Sequence, residues 1–129
     1  METYFLDTCA IIEIIQGNNR YQKYLDKDII LSKFNIIELS FYFLKVNSNK
    51  EFMKEKIKYF NQYIINDEEI TLETIEEANE FKLKHLKEKL SYFDCLGYII
   101  SKNKGIKFVT QDGQFKNKDK NVVEFIEKK

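Results

Sequence analysis

Apolar residues follow two rhythms along this 129-residue chain. Short, mostly apolar runs at residues 3–6, 29–31, 106–110 and 122–126 have the length of buried strands. Elsewhere apolar positions recur every three or four residues. Ile36, Leu39, Phe43 and Val46 form one such stripe, and Met53, Ile57, Phe60 and Ile64 a second. That spacing predicts amphipathic helices. Thr8 and Gly17 bracket a shorter helix over residues 9–16. Asn47-Ser48-Asn49 separates a helix that begins at Asn35 from its successor. Residues 69–72 read as a further strand. Thr74 and Glu77 have capping-box spacing and open a charged helix to about residue 89. Ser91 opens the last helix, which runs through Tyr98 and Ile100 to about residue 103, and Gly105 closes it.

Strands that alternate with helices predict an α/β domain with a mostly parallel sheet. The length suits one domain with one core, spanning residues 1–129. In such sheets, ligands bind beyond the carboxyl ends of the strands. Asp7 and Asp112 both fall just after a predicted strand, at that rim.

Composition narrows the chemistry. Twenty-one basic residues balance 21 acidic ones, so a nucleic-acid partner has to be met by a local basic face. No apolar run is long enough to span a bilayer, and the N-terminus lacks a basic start with a signal core. A cytoplasmic protein with no membrane partner is expected. Two cysteines and one histidine do not make a four-ligand zinc site of the usual kind. Cys9 and Cys95 read as free thiols in a reducing compartment.

Four acids interrupt apolar surroundings: Asp7 in "YFLDTCA", Glu38 in "FNIIELSFYF", Asp94 in "SYFDCLGYII" and Asp112 in "KFVTQDGQF". Most other acids lie in lysine-rich, solvated faces. Each of the four has an ordinary explanation when taken alone. Asp7 suits a helix N-cap. Glu38 suits the edge of an exposed helix face. Asp94 stands at capping-box distance from Ser91. Asp112-Gly113 is a turn signal. Together they read differently. Gly97, one turn after Asp94, leaves room for a ligand to approach. Carboxylates gathered in one cleft repel one another unless a cation compensates them. Oxygen-only ligands suit Mg²⁺ or Mn²⁺. The implied chemistry is metal-assisted attack of water on a phosphodiester, with no histidine base or cysteine nucleophile needed.

With those motifs in their order, the chain resembles the PIN-domain ribonucleases, and among them most the VapC toxin type. The resemblance runs over nearly the whole chain: "FLDT", "NIIEL", "SYFDCLGYIISKNKG" and "FVTQDGQF". It implies a three-layer α/β/α domain with a helical hairpin arm at residues 35–65. It also implies that Asp7, Glu38, Asp94 and Asp112 are the catalytic, Mg²⁺- or Mn²⁺-binding acids. Thr8 and Thr110 then occupy the accompanying hydroxyl positions. The activity implied is an endoribonuclease that leaves a 5′-phosphate and a 3′-hydroxyl on an RNA substrate. Frequent homodimers and an antitoxin protein that plugs the site complete the implied picture. Gln114 departs from the pattern, because the family often carries another acid there. One firmly held ion is the expectation.

Other readings remain open at this point. An RNA-processing PIN nuclease that is not a toxin has the same residues, as does a non-catalytic docking module of the same fold. A haloacid-dehalogenase-type phosphatase also starts with a strand ending in Asp, but wants an acid where Cys9 stands. A phospho-receiver domain needs a strand-end acid near residue 55, inside a predicted helix. Lys102, Lys104, Lys107 and Lys116 are candidate phosphate contacts. Most of Phe41, Tyr42, Phe43, Tyr59, Phe60 and Tyr63 are expected in helix packing, in the core or at a dimer or partner interface, and His85 on a partly solvated helix face.

Overall fold

The computed structural model describes residues 2–128. Four parallel strands form a single sheet in the order β2-β1-β3-β4: β1 (Thr3–Leu6), β2 (Asp28–Ile30), β3 (Lys107–Thr110) and β4 (Val123–Phe125). Five α-helices cover it: α1 (Thr8–Ile15), α2 (Lys33–Lys45), α3 (Lys50–Asn61), α4 (Leu72–Lys84) and α5 (Tyr92–Lys104). The period-two geometry of a strand sorts the side chains onto two faces. Tyr4, Leu6 and Val109 point into one core with Ile11, Ile14, Leu39, Phe43 and Phe60 from α1, α2 and α3. Phe5 and Phe108 point into a second core with Ala78 from α4 and Cys95, Ile99 and Ile100 from α5. The result is three layers, α/β/α, with α2 and α3 packed together as a hairpin.

The chain leaves β1 for β2 on one side, then crosses back to β3 on the other side of β1. That reversal makes a crevice at the carboxyl ends of β1 and β3. The Asp7 N–H donates to the Val109 carbonyl at 2.9 Å and locks the exit of β1 against β3.

Five local expectations are corrected. Asp7, not Thr8, is the N-cap of α1, and the helix starts at Thr8. Residues 69–72 are not a strand. Asn66 caps a short 3₁₀ turn over Asp67–Glu69, and α4 starts at Leu72. Thr71, not Thr74, is the cap of α4, and it accepts from the Thr74 N–H at 3.2 Å. The helix stops at Lys84 and a separate 3₁₀ turn follows over Leu86–Glu88, ended by Lys89 in a left-handed conformation. Gly97 does not make room for a ligand. A Cβ there would stand 2.6 Å from Phe108 Cε1 and 3.1 Å from Phe5 Cε1, so this glycine lets α5 sit close on the sheet.

Candidate active site

Asp7 is mounted where β1 becomes α1. It is the N-cap of α1, and its Oδ1 accepts from the Thr8 N–H at 2.7 Å. Its Oδ2 accepts from the Thr110 hydroxyl at 2.8 Å and from the Cys9 thiol at 3.4 Å. Only 8% of the residue is exposed. Glu38 comes from α2, where its Oε1 accepts from the Thr8 hydroxyl at 2.7 Å. Thr8 in turn accepts from Asn35 Nδ2 at 3.1 Å, and Asn35 also reaches the Leu6 carbonyl at 3.3 Å. Thr8 therefore fixes Glu38 relative to Asp7, across 30 residues of chain.

Asp94 stands in the first turn of α5. Its Oδ2 accepts from the Ser91 N–H at 3.2 Å, while its own N–H donates to the Ser91 hydroxyl at 3.0 Å. Asp112 follows β3 and caps the turn at Gly113–Phe115, with Oδ1 accepting from the Gln114 N–H at 3.0 Å. The Asp112 N–H donates to the Thr110 hydroxyl at 3.1 Å. Thr110 thus joins the two strand-end acids, as Thr8 joins Asp7's helix to Glu38.

All four acids line one cleft of about 730 Å³, with Thr8, Cys9, Gln111, Gly113 and Lys128. Ile37 and Phe41 of α2 form its apolar rim, and each is more than half exposed. None of the four carboxylates is ion-paired among the described residues. Burial, then the charge of Asp94, lifts Asp7 to about 7, against the hydrogen bonds from Thr110 and Cys9. Glu38 is raised by burial and by Asp94, and its bond from Thr8 opposes this. Asp94 is raised by burial and by Asp112, with the Ser91 contacts and Lys82 opposing. The N-termini of α1 and α5 both face this crevice and favour negative charge there. They do not outweigh desolvation and mutual repulsion.

Among the described residues, no three acids, cysteines or histidines close around one point tightly enough to hold a metal ion. The four acids face a common cleft without being drawn onto one centre. The donor set nevertheless fits a hard divalent cation. It is all oxygen and supported by hydroxyls, and its buried carboxylates raise one another's proton affinity.

Several residues that matter here were given no role by sequence. Asn35 and Gln111 lie inside the quoted motifs "NIIEL" and "FVTQDGQF", but only the acids and Thr110 of those motifs were given roles, and Lys128 lies outside every motif, because an isolated polar residue on a helix or loop has no periodic signal. The lysines that were singled out lie elsewhere. Lys102 pairs with Glu77 at 3.5 Å and Lys104 with Glu69 at 2.7 Å. Lys107 and Lys116 line a separate surface pocket beside β4. Cys9 reaches the cleft wall, whereas Cys95 is buried in the core under α4 and α5. Phe43 and Phe60 are core residues, and Phe41 is 66% exposed.

An α/β domain with paired strand-end and helix acids over a switch-point crevice defines the class to which this chain belongs. A family model for the PIN domain matches residues 4–121, and the chain is a member of the PIN-domain family. Solved structures share the fold. VapBC2 from Rickettsia felis, bound to a DNA fragment from its promoter, superposes with a TM-score of 0.73 at 18% identity, over 97% of this chain and 99% of that one. A toxin–antitoxin complex from Klebsiella pneumoniae gives 0.70 at 16%, over 96% and 98%. VapBC-5 from Mycobacterium tuberculosis, a member of the VapBC toxin–antitoxin family, gives 0.56 at 15%, over 98% and 99%. No curated protein matches the chain. Among the described residues no helix is long and apolar enough to cross a membrane.

Proposed function

We propose that this protein is a divalent-metal-dependent endoribonuclease and the toxin of a toxin–antitoxin pair. The observation that carries the reading is the meeting of Asp7, Glu38, Asp94 and Asp112 in one cleft at the carboxyl ends of β1 and β3. Membership of a family whose domains are generally nucleases supports it. Asp7, Glu38 and Asp94 hold Mg²⁺ or Mn²⁺, and Asp112 completes the acidic wall. The bound ion supplies polarisation of the phosphodiester and activation of water. Thr110 keeps Asp7 and Asp112 in a fixed relation, and Thr8 does the same for Glu38. Such buttressing holds a site to the tolerance that catalysis needs.

The toxin assignment is supported by the solved structures of like fold, whose descriptions are of toxin–antitoxin complexes or systems. The exposed Ile37, Phe41 and Leu44 on α2 offer an antitoxin an apolar strip beside the acids it must cover. Leu72, Leu83 and Leu86 are exposed at and after α4 and suit the second copy of a homodimer.

The test is incubation of pooled cellular RNA with purified protein, in Mg²⁺, in Mn²⁺ and in chelator, beside Asp94→Asn. Discrete fragments that require the metal and vanish in the variant are expected. Asp94→Asn should stay folded, because an asparagine oxygen still accepts from the Ser91 N–H. Absence of cleavage with either ion, or equal cleavage by the variant, overturns the nuclease reading in favour of a docking module.

A further inference from the structure

The acid cleft does not end at Asp112. A second cavity of about 340 Å³ adjoins it, lined by Glu13, Asn18, Asn19, Arg20, Gln111 and Lys128. Gln111 and Lys128 line both cavities. Arg20 is the single arginine in a chain with 21 basic residues. It is half-buried and forms no ion pair among the described residues. One Nη donates to the Glu127 carbonyl, which orients the guanidinium and leaves most of its five donors free. The one acid of this cavity, Glu13, is engaged by Asn18 Nδ2 at 2.9 Å. The Asn18 Oδ1 accepts from the Arg20 N–H at 3.0 Å, so the loop that presents Arg20 is braced. Gln111 is oriented in the same way, its Oε1 accepting from the Tyr21 hydroxyl at 2.9 Å. Its amide N–H₂ is the end left for a ligand.

We infer that this cavity is a second phosphate subsite, in which Arg20 and Lys128 hold a backbone phosphate of the RNA strand next to the one in the acid cleft. The inference rests on the nuclease reading above. A planar guanidinium fork matches two oxygens of a phosphate, which an ammonium matches only as a point charge. The amides of Gln111 and Asn19 supply neutral donors for ribose or base edges. An acidic peptide would also suit Arg20. It would, however, have to lie beside four carboxylates, without the cation that a phosphodiester shares with them. A strand carrying one phosphate to the metal and the next to Arg20 satisfies both cavities. Without this subsite, a neutral protein would have little local positive charge at the cleft to grip an anionic strand.

The test compares wild type with Arg20→Ala, Arg20→Lys and Lys128→Ala. Initial cleavage rates are measured against RNA concentration in Mn²⁺. Binding of a short fluorescent single-stranded RNA is followed in parallel by anisotropy at several salt concentrations. Arg20→Ala should raise KM and Kd by about tenfold, the loss of one charge-assisted contact. It should reduce the salt slope by about one and leave kcat and thermal stability near wild type. Arg20→Lys should recover only part of the loss, and Lys128→Ala should show a smaller one. Wild-type cleavage with unchanged KM, Kd and salt slope in Arg20→Ala overturns the subsite and leaves the nuclease standing. Wild type that neither cleaves nor binds RNA overturns the nuclease, and the subsite falls with it.

Discussion

The metal-free protein should lose stability as the pH rises from 5 to 8. Asp7 sets the size of the effect. Its ordinary value of 3.8 is lifted to about 7 in the folded chain, by burial first and by Asp94 second. The folded state therefore holds a proton that the unfolded chain releases earlier. Unfolding gains ground from the unfolded value upward, and the full penalty is in force above the folded one. Between pH 5 and 8 this amounts to about 2–3 kcal/mol. Glu38 and Asp94 are raised too and act in the same direction. The one lowered carboxylate, Glu69, held down first by Lys104, loses its contribution only as the pH falls through the acid range, below this window. For a domain of this size the melting temperature should fall by about 8–10 °C.

Thermal unfolding followed by circular dichroism in chelator, at pH 5 and pH 8, measures this directly. Asp7→Asn should flatten the dependence, because asparagine keeps the acceptor for the Thr8 N–H and has no charge to desolvate. Saturating Mn²⁺ should restore the loss at pH 8 and do little at pH 5, since a cation binds the ionised set. A melting temperature that is flat or rises over this range in chelator refutes the reasoning. So does an equal fall in Asp7→Asn.

Two further substitutions probe the supports of the site. Gly97→Ala places a methyl against Phe108 and Phe5 in the core, and it should cost about 1–3 kcal/mol despite alanine's better helix propensity. A raised melting temperature would contradict the close-packing role. Thr110→Val removes both the donor to Asp7 and the acceptor for the Asp112 N–H, at nearly constant volume. It should destabilise by about 1–2 kcal/mol. Loss of the bond to the charged form pushes Asp7 further up, so the acid limb of the pH–activity profile should move to higher pH, with Thr110→Ser restoring it. An unmoved profile would show that Thr110 does not govern the ionisation of Asp7.

Much of the architecture was legible because the sheet is parallel and covered on both faces. Such strands are short continuous apolar runs, and β1 matches its predicted span at both ends. The failures have local causes. Glu69, Ile70, Thr71 and Leu72 alternate like a half-buried strand, but Asn66 and Thr71 are both capping residues and turn the segment into a 3₁₀ turn and a helix start. Thr71 and Thr74 each offer a cap, and nothing local says which the chain will use. The end of α4 was overrun because a glycine announces a left-handed residue and Lys89 does not. Gly105, which does close α5 in that conformation, was read correctly.

The site poses a subtler case. By sequence, Asp7 and Asp94 each had a capping explanation and Asp112 a turn explanation, and each of these competed with a ligand explanation. The structure shows that they are compatible. All three carboxylates accept from a backbone N–H at the start of a helix or turn, and all three line the cleft. Capping fixes the side-chain torsions, and the local positive end of the helix makes the charge less costly to hold. A ligand mounted as a cap is already ordered before a cation arrives, so little conformational entropy is lost on binding. Capping spacing is therefore no argument against a ligand role when several such caps meet at one crevice. What no local reading supplies is the cross-linking between them. The Thr8–Glu38, Asn35–Leu6 and Thr110–Asp7 contacts span 30, 29 and 103 residues. Only the meeting of β1, β3, α2 and α5 at the switch point turns four separately explicable acids into one electrostatic unit. Burial first and the charge of Asp94 second raise the proton affinity of Asp7, and a bound divalent ion is what should abolish that rise.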